Sequence, residues 1–308
     1  MRSIRPDLIA KKLMLAGCAS FLLGFSGSAQ AQSQDYSKVE ISSQDLGGGV
    51  HALFGAGGNM GVSAGPDGVF LVDDQFAPLT DKINAAIAKI SDQPVRFLIN
   101  THWHFDHTGG NENFGKQGAI IVAHDNVRKL MSEAQLISFF KMDVPAAAKD
   151  ALPVITFSDT TTFHLNGDTV VVSHLPPGHT NGDSIVHFQK ANVLHTGDLF
   201  FNGIYPFIDV DHGGSIDGLI ADADVILQRI NAQTRIIPGH GPLADRAALV
   251  AYRDMLTVAR DQVMAQISEG KTREQVVAGK PTASLDGQWG NGFLNGDAFA
   301  GLVFDSLK

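Results

Sequence analysis

The sequence predicts an α/β sandwich, with two mixed β-sheets face to face and helices on the outer faces. Two observations carry that expectation. β-rich stretches followed by helical ones occur twice along the 308 residues, which suits two packed sheets with helices outside. The residue types that do chemistry fall where strands end, in loops, where a rigid scaffold presents functional groups. The 44% hydrophobic and 18% charged content leaves ample material for the core such a fold needs.

The first stretch reads as a leader. Arg2, Arg5, Lys11 and Lys12 form a basic region, Leu13 to Gly27 an apolar run too short for a comfortable membrane span, and Ala29-Gln30-Ala31 a small-x-small cleavage site. Residues 1–31 are therefore expected to be a signal peptide, and the mature protein periplasmic or secreted. Leu15 to Cys18 also matches a lipoprotein box. Against lipidation at Cys18, only about five apolar residues separate it from Lys12, and the apolar run continues beyond it. Cys18 is the only cysteine, so residues 32–308 offer no disulfide, thiol nucleophile or thiolate ligand. Residues 1–31 hold four basic residues and one acid. The 23 Lys+Arg and 32 Asp+Glu of the whole chain thus become 19 and 31, a net charge of −12. That balance argues against nucleic acid or an anionic membrane surface as partner.

Residues 32–308 read as a single domain. Short strands come first ("KVEIS", "VHALF", "MGVSA", "GVFLVDD"), separated by glycine-rich turns. The turn in Phe54 to Ser63 is a candidate flap over a cleft. Ile83, Ile87 and Ile90 mark a helix, with Thr80 as its expected N-cap. "VRFLIN" and "AIIVA" are strands, and residues 125–142 read as helix. Asn166-Gly167 joins "TTTFHL" and "TVVVSHL" as a hairpin. Two more strands, a helix from Ile216 and the strand "TRIIPGHG" follow. A helical extension begins at about residue 243, and a Thr272-x-x-Gln275 capping box opens one of its helices.

"INTHWHFDHTGGNENFG", Ile99 to Gly115, packs His102, His104, Asp106 and His107 into six positions at a strand end. Neutral imidazoles and a carboxylate are ligands for Zn²⁺ or Fe²⁺. One cluster cannot fill a coordination sphere, so later loops must contribute. "PPGHTNGDS" offers His179, "HTGD" offers Asp198 and "PGHG" offers His240, each beside a glycine at a strand terminus.

His-x-His-x-Asp-His followed by "GHTNGD", "TGD" and "PGHG" resembles the metallo-β-lactamase superfamily in order and spacing, over roughly residues 38–242. The resemblance implies the αββα fold, two zinc ions and hydrolysis by a metal-bound hydroxide. It implies that His102, His104 and His179 hold the first metal, and that Asp106, His107 and His240 hold the second. Asp198 stands where many members carry a bridging aspartate, and Asp106 is expected to be catalytic as well as a ligand. Asp73 or Asp74, after "GVFLV", resembles the family's acid that orients a ligand loop. Small-molecule amide or ester substrates are implied, of β-lactam type or broader cyclic kind. A lactonase or thioesterase similar to hydroxyacylglutathione hydrolases is the alternative. A mononuclear iron oxygenase and a non-catalytic metal protein are the remaining rivals. "LFFNGIYPFIDVDHGGS", after Asp198, contains no Lys or Arg to grip a carboxylate, and His212 is its only possible cation. Its aromatics Phe200, Phe201, Tyr205 and Phe207 read either as core or as an apolar wall beside the metals.

Overall fold

The computed structural model describes residues 35–308; residues 1–31, expected to be a signal peptide, and Cys18 lie outside them. Strands β1 (Ser42–Asp45), β2 (Val50–Phe54), β3 (Met60–Gly65) and β4 (Gly68–Val72) form an antiparallel meander. Helix α1 (Thr80–Ile87) leads to β5 (Val95–Ile99). Two short helices follow, α2 (Phe105–Thr108) and α3 (Asn111–Lys116), then β6 (Ile120–His124) and α4 (Asp125–Met131). β7 (Gln135–Ile137) and β8 (Met142–Val144) make a small ribbon, and β9 (Ile155–Phe157) closes the first sheet in the order β1-β2-β3-β4-β5-β6-β9. The second sheet is β10 (Thr160–Leu165), β11 (Asp168–His174), β12 (Ser184–Phe188), β13 (Val193–His195) and β14 (Arg235–Ile237), in chain order. Helix α5 (Ile216–Arg229) crosses between β13 and β14. α6 (Arg246–Ser268), α7 (Arg273–Ala278), α8 (Asp286–Trp289) and α9 (Gly296–Ser306) follow.

Alternation along the strands explains the layers. Phe70 and Val72 of β4 point inward with Ile99 and Val122, and meet Val170, Val172, Val186, Phe188 and Ile237 of the second sheet. Val69 and Leu71 point outward, with Leu98 and Ile121, onto Ile83 and Ile87 of α1. That is why "VFLV" is apolar at every position: the strand is covered on both faces. On the outer face of the second sheet, Ile185, Leu194 and Ile236 pack against α5, α6 and α9 through Leu219, Leu256 and Val303. The outcome is the αββα sandwich. Among the described residues no helix is long and apolar enough to cross a membrane.

Local signals survive unevenly. Asn166 (φ +53°) and Gly167 (φ +70°) form the expected hairpin turn, with both central residues left-handed. The Thr272–Gln275 capping box is complete. Of "KVEIS" only Ser42 lies in a strand. Thr80 is not an N-cap, because a 3₁₀ turn over Ala77–Leu79 runs straight into α1 and its hydroxyl donates to Ala77 O. The helix expected over 125–142 stops at Met131. Ala147 N donates to the Met131 carbonyl, and the following residues pair as the β7–β8 ribbon, with Lys141 left-handed at its turn. Tertiary pairing there outweighs local propensity.

Candidate metal centre

His102 and His104 sit in the loop that leaves β5, and Asp106 and His107 in the first turn of α2. His179 follows β11, Asp198 follows β13, and His240 follows β14. The fold brings all seven together. One ligand atom from each of His102, His104, His179 and Asp198 lies within 4.8 Å of the others, and so do atoms of Asp106, His107 and His240. Asp198 touches both groups: its Oδ2 is 3.4 Å from His179 Nε2 and 3.4 Å from His240 Nε2, and its Oδ1 is 3.1 Å from His107 Nε2.

The outer ring nitrogens decide the tautomers. The Thr101 hydroxyl donates to Asp73 Oδ2 (2.8 Å), so its oxygen is left to accept from His102 Nδ1 (3.1 Å). His102 Nε2 then carries a lone pair, buried, with no hydrogen-bond partner among the described residues. His104 Nε2 donates to Asp209 Oδ2 (2.9 Å), His179 Nδ1 to the Phe207 carbonyl (2.9 Å) and His107 Nδ1 to Asp73 Oδ2 (2.8 Å). The inner nitrogens of His104 and His179 consequently face each other at 2.8 Å as two lone pairs, which calls for a cation beside them. Outer nitrogens tied to acceptors and inner ones converging is how metal-binding histidines are held. Donors on a tetrahedral zinc at about 2.0–2.1 Å stand roughly 3.4 Å apart. His107 Nε2 and His240 Nε2 are 3.3 Å apart, and His240 Nε2 and Asp106 Oδ2 also 3.3 Å. The donor set fits the metals expected of it.

Charge distributes accordingly. Burial pushes His102 well below the ordinary imidazole range and takes His179 down to about 4, so both are neutral ligands at neutral pH. In the second group burial also opposes charge, but the carboxylates outweigh it. Asp198 and Asp106 hold His107 well up and His240 at about 9, while the imidazoles hold Asp106 down to about 2 and Asp198 well below its usual range. Those protons occupy the positions a cation would take.

Asp73 accepts from His107 Nδ1 and from Thr101 N and Oγ1, which makes it the orienting acid. Asp74 holds the same loop from its far end by accepting from Gly110 N (2.9 Å). The glycine-rich loop after β2 is pinned over the cluster. Gly58 N donates to Asp106 O, Asn59 N to Gly239 O, and Asn59 Nδ2 to Pro238 O and Gly241 O. A Cβ on Gly58 would stand 2.0 Å from the His107 ring, so only glycine lets the loop approach.

The expected substrate residues divide. Phe201 lies parallel to His240, with ring centroids 5.0 Å apart. Phe200 and Tyr205 are fully buried. Phe200 packs on Tyr252, while Tyr205 stacks on Phe299 and donates its hydroxyl to Asp286 Oδ1. His212 is no free cation for a carboxylate, since its Nδ1 faces Asp209 (2.7 Å) and its Nε2 faces Gln135 Oε1 (3.3 Å). Sequence reasoning missed three supports. Asp209 carries His104, and nothing in "FIDVDH" marks it. Asp183, inside the quoted "GHTNGD", accepts from His179 N and Thr180 N. Asn59 anchors the His240 loop from 181 residues away.

Imidazoles and carboxylates that could hold metal converge between the strand ends of two facing sheets, an arrangement that suits a metal-dependent hydrolase. A family model described as the metallo-β-lactamase superfamily matches residues 55–244, and the chain belongs to that superfamily. It is 27% identical to a probable metallo-hydrolase of Bacillus subtilis, over 57% of this chain and 85% of that protein. It is 28% identical to a hydroxyacylglutathione hydrolase of Nitrosococcus oceani, over 68% of this chain and 71% of that one. In fold it is similar to a metallo-β-lactamase from Pontibacter korlensis (TM-score 0.57, 21% identity, 71% of this chain and 99% of that chain). It is also similar to a sec-alkylsulfatase from a Pseudomonas species (TM-score 0.63, 16% identity, 86% of this chain), of which it spans 50%.

Proposed function

We propose that this protein is an exported dinuclear zinc hydrolase that cleaves amide or ester bonds, with β-lactam-type and other cyclic amides and esters as its substrates. The observation that supports this most is the placement of Asp198 against both donor groups, which makes one centre of them rather than two separate sites. His102, His104, His179, Asp198, Asp106, His107 and His240 would hold a zinc pair, which when bound would supply a water ionised near neutral pH and a Lewis acid for the carbonyl oxygen. The chain's own part is orientation. Asp73 and Asp209 fix three of the imidazoles, directly or through Thr101. Asp106 stays ionised through neutral pH, so its carboxylate is an acceptor that can align an attacking water. Asp106 and His240, each with a side chain 22% exposed, border the side from which substrate enters. With His212 engaged and no Lys or Arg between Leu199 and Ser215, a β-lactam carboxylate lacks a cation from this segment, and a high KM follows.

A second reading, lactone or thioester hydrolysis, is favoured by the likeness to hydroxyacylglutathione hydrolases at 25–28% identity. The basic leader with its apolar run supports export. One experiment separates the readings: metal analysis of the purified protein, then turnover of a carbapenem, a cephalosporin, a neutral lactone and a thioester. The expected result is about two zinc ions per chain and activity lost to a chelator and restored by zinc. A single bound iron, or zinc without turnover of any substrate, overturns the proposal.

A further inference from the structure

Two rings of the centre's surroundings are partly exposed and lean on rings that cover the ligands. Phe140, in the ribbon between β7 and β8, is 44% exposed and packs on Phe207 at 4.9 Å. Phe207 in turn lies 5.7 Å from His104 and 5.9 Å from His179. Phe293, between α8 and α9, is 39% exposed and packs on Phe201 at 6.1 Å, and Phe201 stacks on His240. One chain of rings therefore runs outward from each donor group. Both exposed ends are held in place. Ser138 N donates to Asp211 Oδ2 and His212 Nε2 meets Gln135 Oε1, which docks the ribbon. Tyr205 N donates to Trp289 O and Tyr205 Oη to Asp286, which docks the segment carrying Phe293.

Single exposed apolar residues are ordinary, but each of these two rings is joined through a buried ring to the donor groups. We propose that Phe140 and Phe293 are specificity-determining residues, two apolar lips that select esters, lactones or amides bearing uncharged aliphatic or aryl substituents. This rests on the hydrolase reading above for the reacting bond, and on the ring geometry alone for the substituent.

The test uses two series on the zinc-loaded protein. Alkyl hydroxamates from two to eight carbons are titrated by calorimetry, and 4-nitrophenyl esters of the same acids are followed for kcat/KM. Affinity and kcat/KM are expected to climb with chain length, by up to about fourfold for each methylene that reaches a lip. Phe293→Ala and Phe140→Ala should each cut that slope by half or more, with Phe293→Leu intermediate. Val258→Ala, an equally exposed apolar residue on α6, should leave it unchanged. A hydroxamate affinity that is absent or indifferent to chain length, or a slope both alanine variants retain, overturns the proposal. Hydroxamate slopes that behave as expected without ester turnover sink the hydrolase reading and leave the lips standing.

Discussion

His179 and His240 both sit in loops that follow a strand, both turn Nε2 toward Asp198 at 3.4 Å, and yet the first is fully enclosed while the second is 22% exposed. The same contrast separates the two donor groups. Around the first, each outer nitrogen is tied to a hydroxyl, a carboxylate or a carbonyl, and Phe207 closes over it. The second keeps Asp106 and His240 at the surface. The first group is thus enclosed, while the second stands open to solvent. The largest expected effect follows directly. His179→Ala should empty the first site and lower kcat/KM by roughly a thousandfold or more, since a Lewis acid contributes several kcal/mol. His240→Ala should lose about one metal per chain and leave the first bound. Metal content after dialysis checks both, and equal loss in the two variants would erase the distinction.

The supports sharpen the contrast. Asp209 serves the first group through His104, whereas Asp73 serves both, through His107 directly and through Thr101 to His102. Removing an acid that holds a metal-binding histidine costs about 10–100-fold in affinity. Asp73→Ala should weaken both metals by that factor, and Asp209→Ala the first alone, read by competition with a graded set of chelators.

The ligands were legible because they are local. His102, His104, Asp106 and His107 fall within six residues at a strand end, and His179, Asp198 and His240 each stand next to glycine or in a glycine-bearing turn. The supports were not, because their partners are distant in sequence: Asp209 reaches His104 across 105 residues. The same cause defeats the aromatics. "LFFNGIYPF" reads as one apolar stretch, but neighbouring rings take opposite destinations. Tyr205 goes into the core against Phe299, and Phe201 goes to His240. The strand layers could be read because alternation is a property of each strand alone. The β7–β8 ribbon could not, because its pairing and its docking on Asp211 and His212 replace a plausible local helix.

Gly58 offers a smaller, more selective effect on the exposed side. An alanine there places a methyl against the His107 ring and displaces it or lifts the loop. Gly58→Ala should weaken the second metal about tenfold, within the range for disturbed ligand orientation, while the first remains. Zinc titration with a chromophoric chelator would show one affinity shifted and one unmoved. Two shifted affinities would mean that the loop, and not the ring contact, is what the glycine protects.

The last effect is read on stability and not on metal affinity, and concerns what enclosure of the first group costs. Asp222 of α5 lies beneath Gly178, where an added Cβ would come within 2.4 Å of its Oδ2. Both its oxygens are buried without a hydrogen-bond partner among the described residues. Burial, with Asp183 adding to it, pushes its carboxyl up to about 8 from the ordinary 3.8. The folded chain therefore keeps a proton that the unfolded chain releases. That contribution to stability is complete below pH 3.8 and is lost progressively as pH rises to about 8. Asn is neutral in both states and of the same shape, so Asp222→Asn removes the slope without opening a cavity. The difference in Tm between Asp222→Asn and the parent should grow in favour of the variant from pH 5 to pH 8. Even 1 kcal/mol of it would amount to roughly 2–4 °C for a domain of this size. A difference that stays flat across that range would mean that Asp222 is ionised in the fold, held by a partner such as a bound water. Enclosure of the first group would then cost less than the buried acid implies.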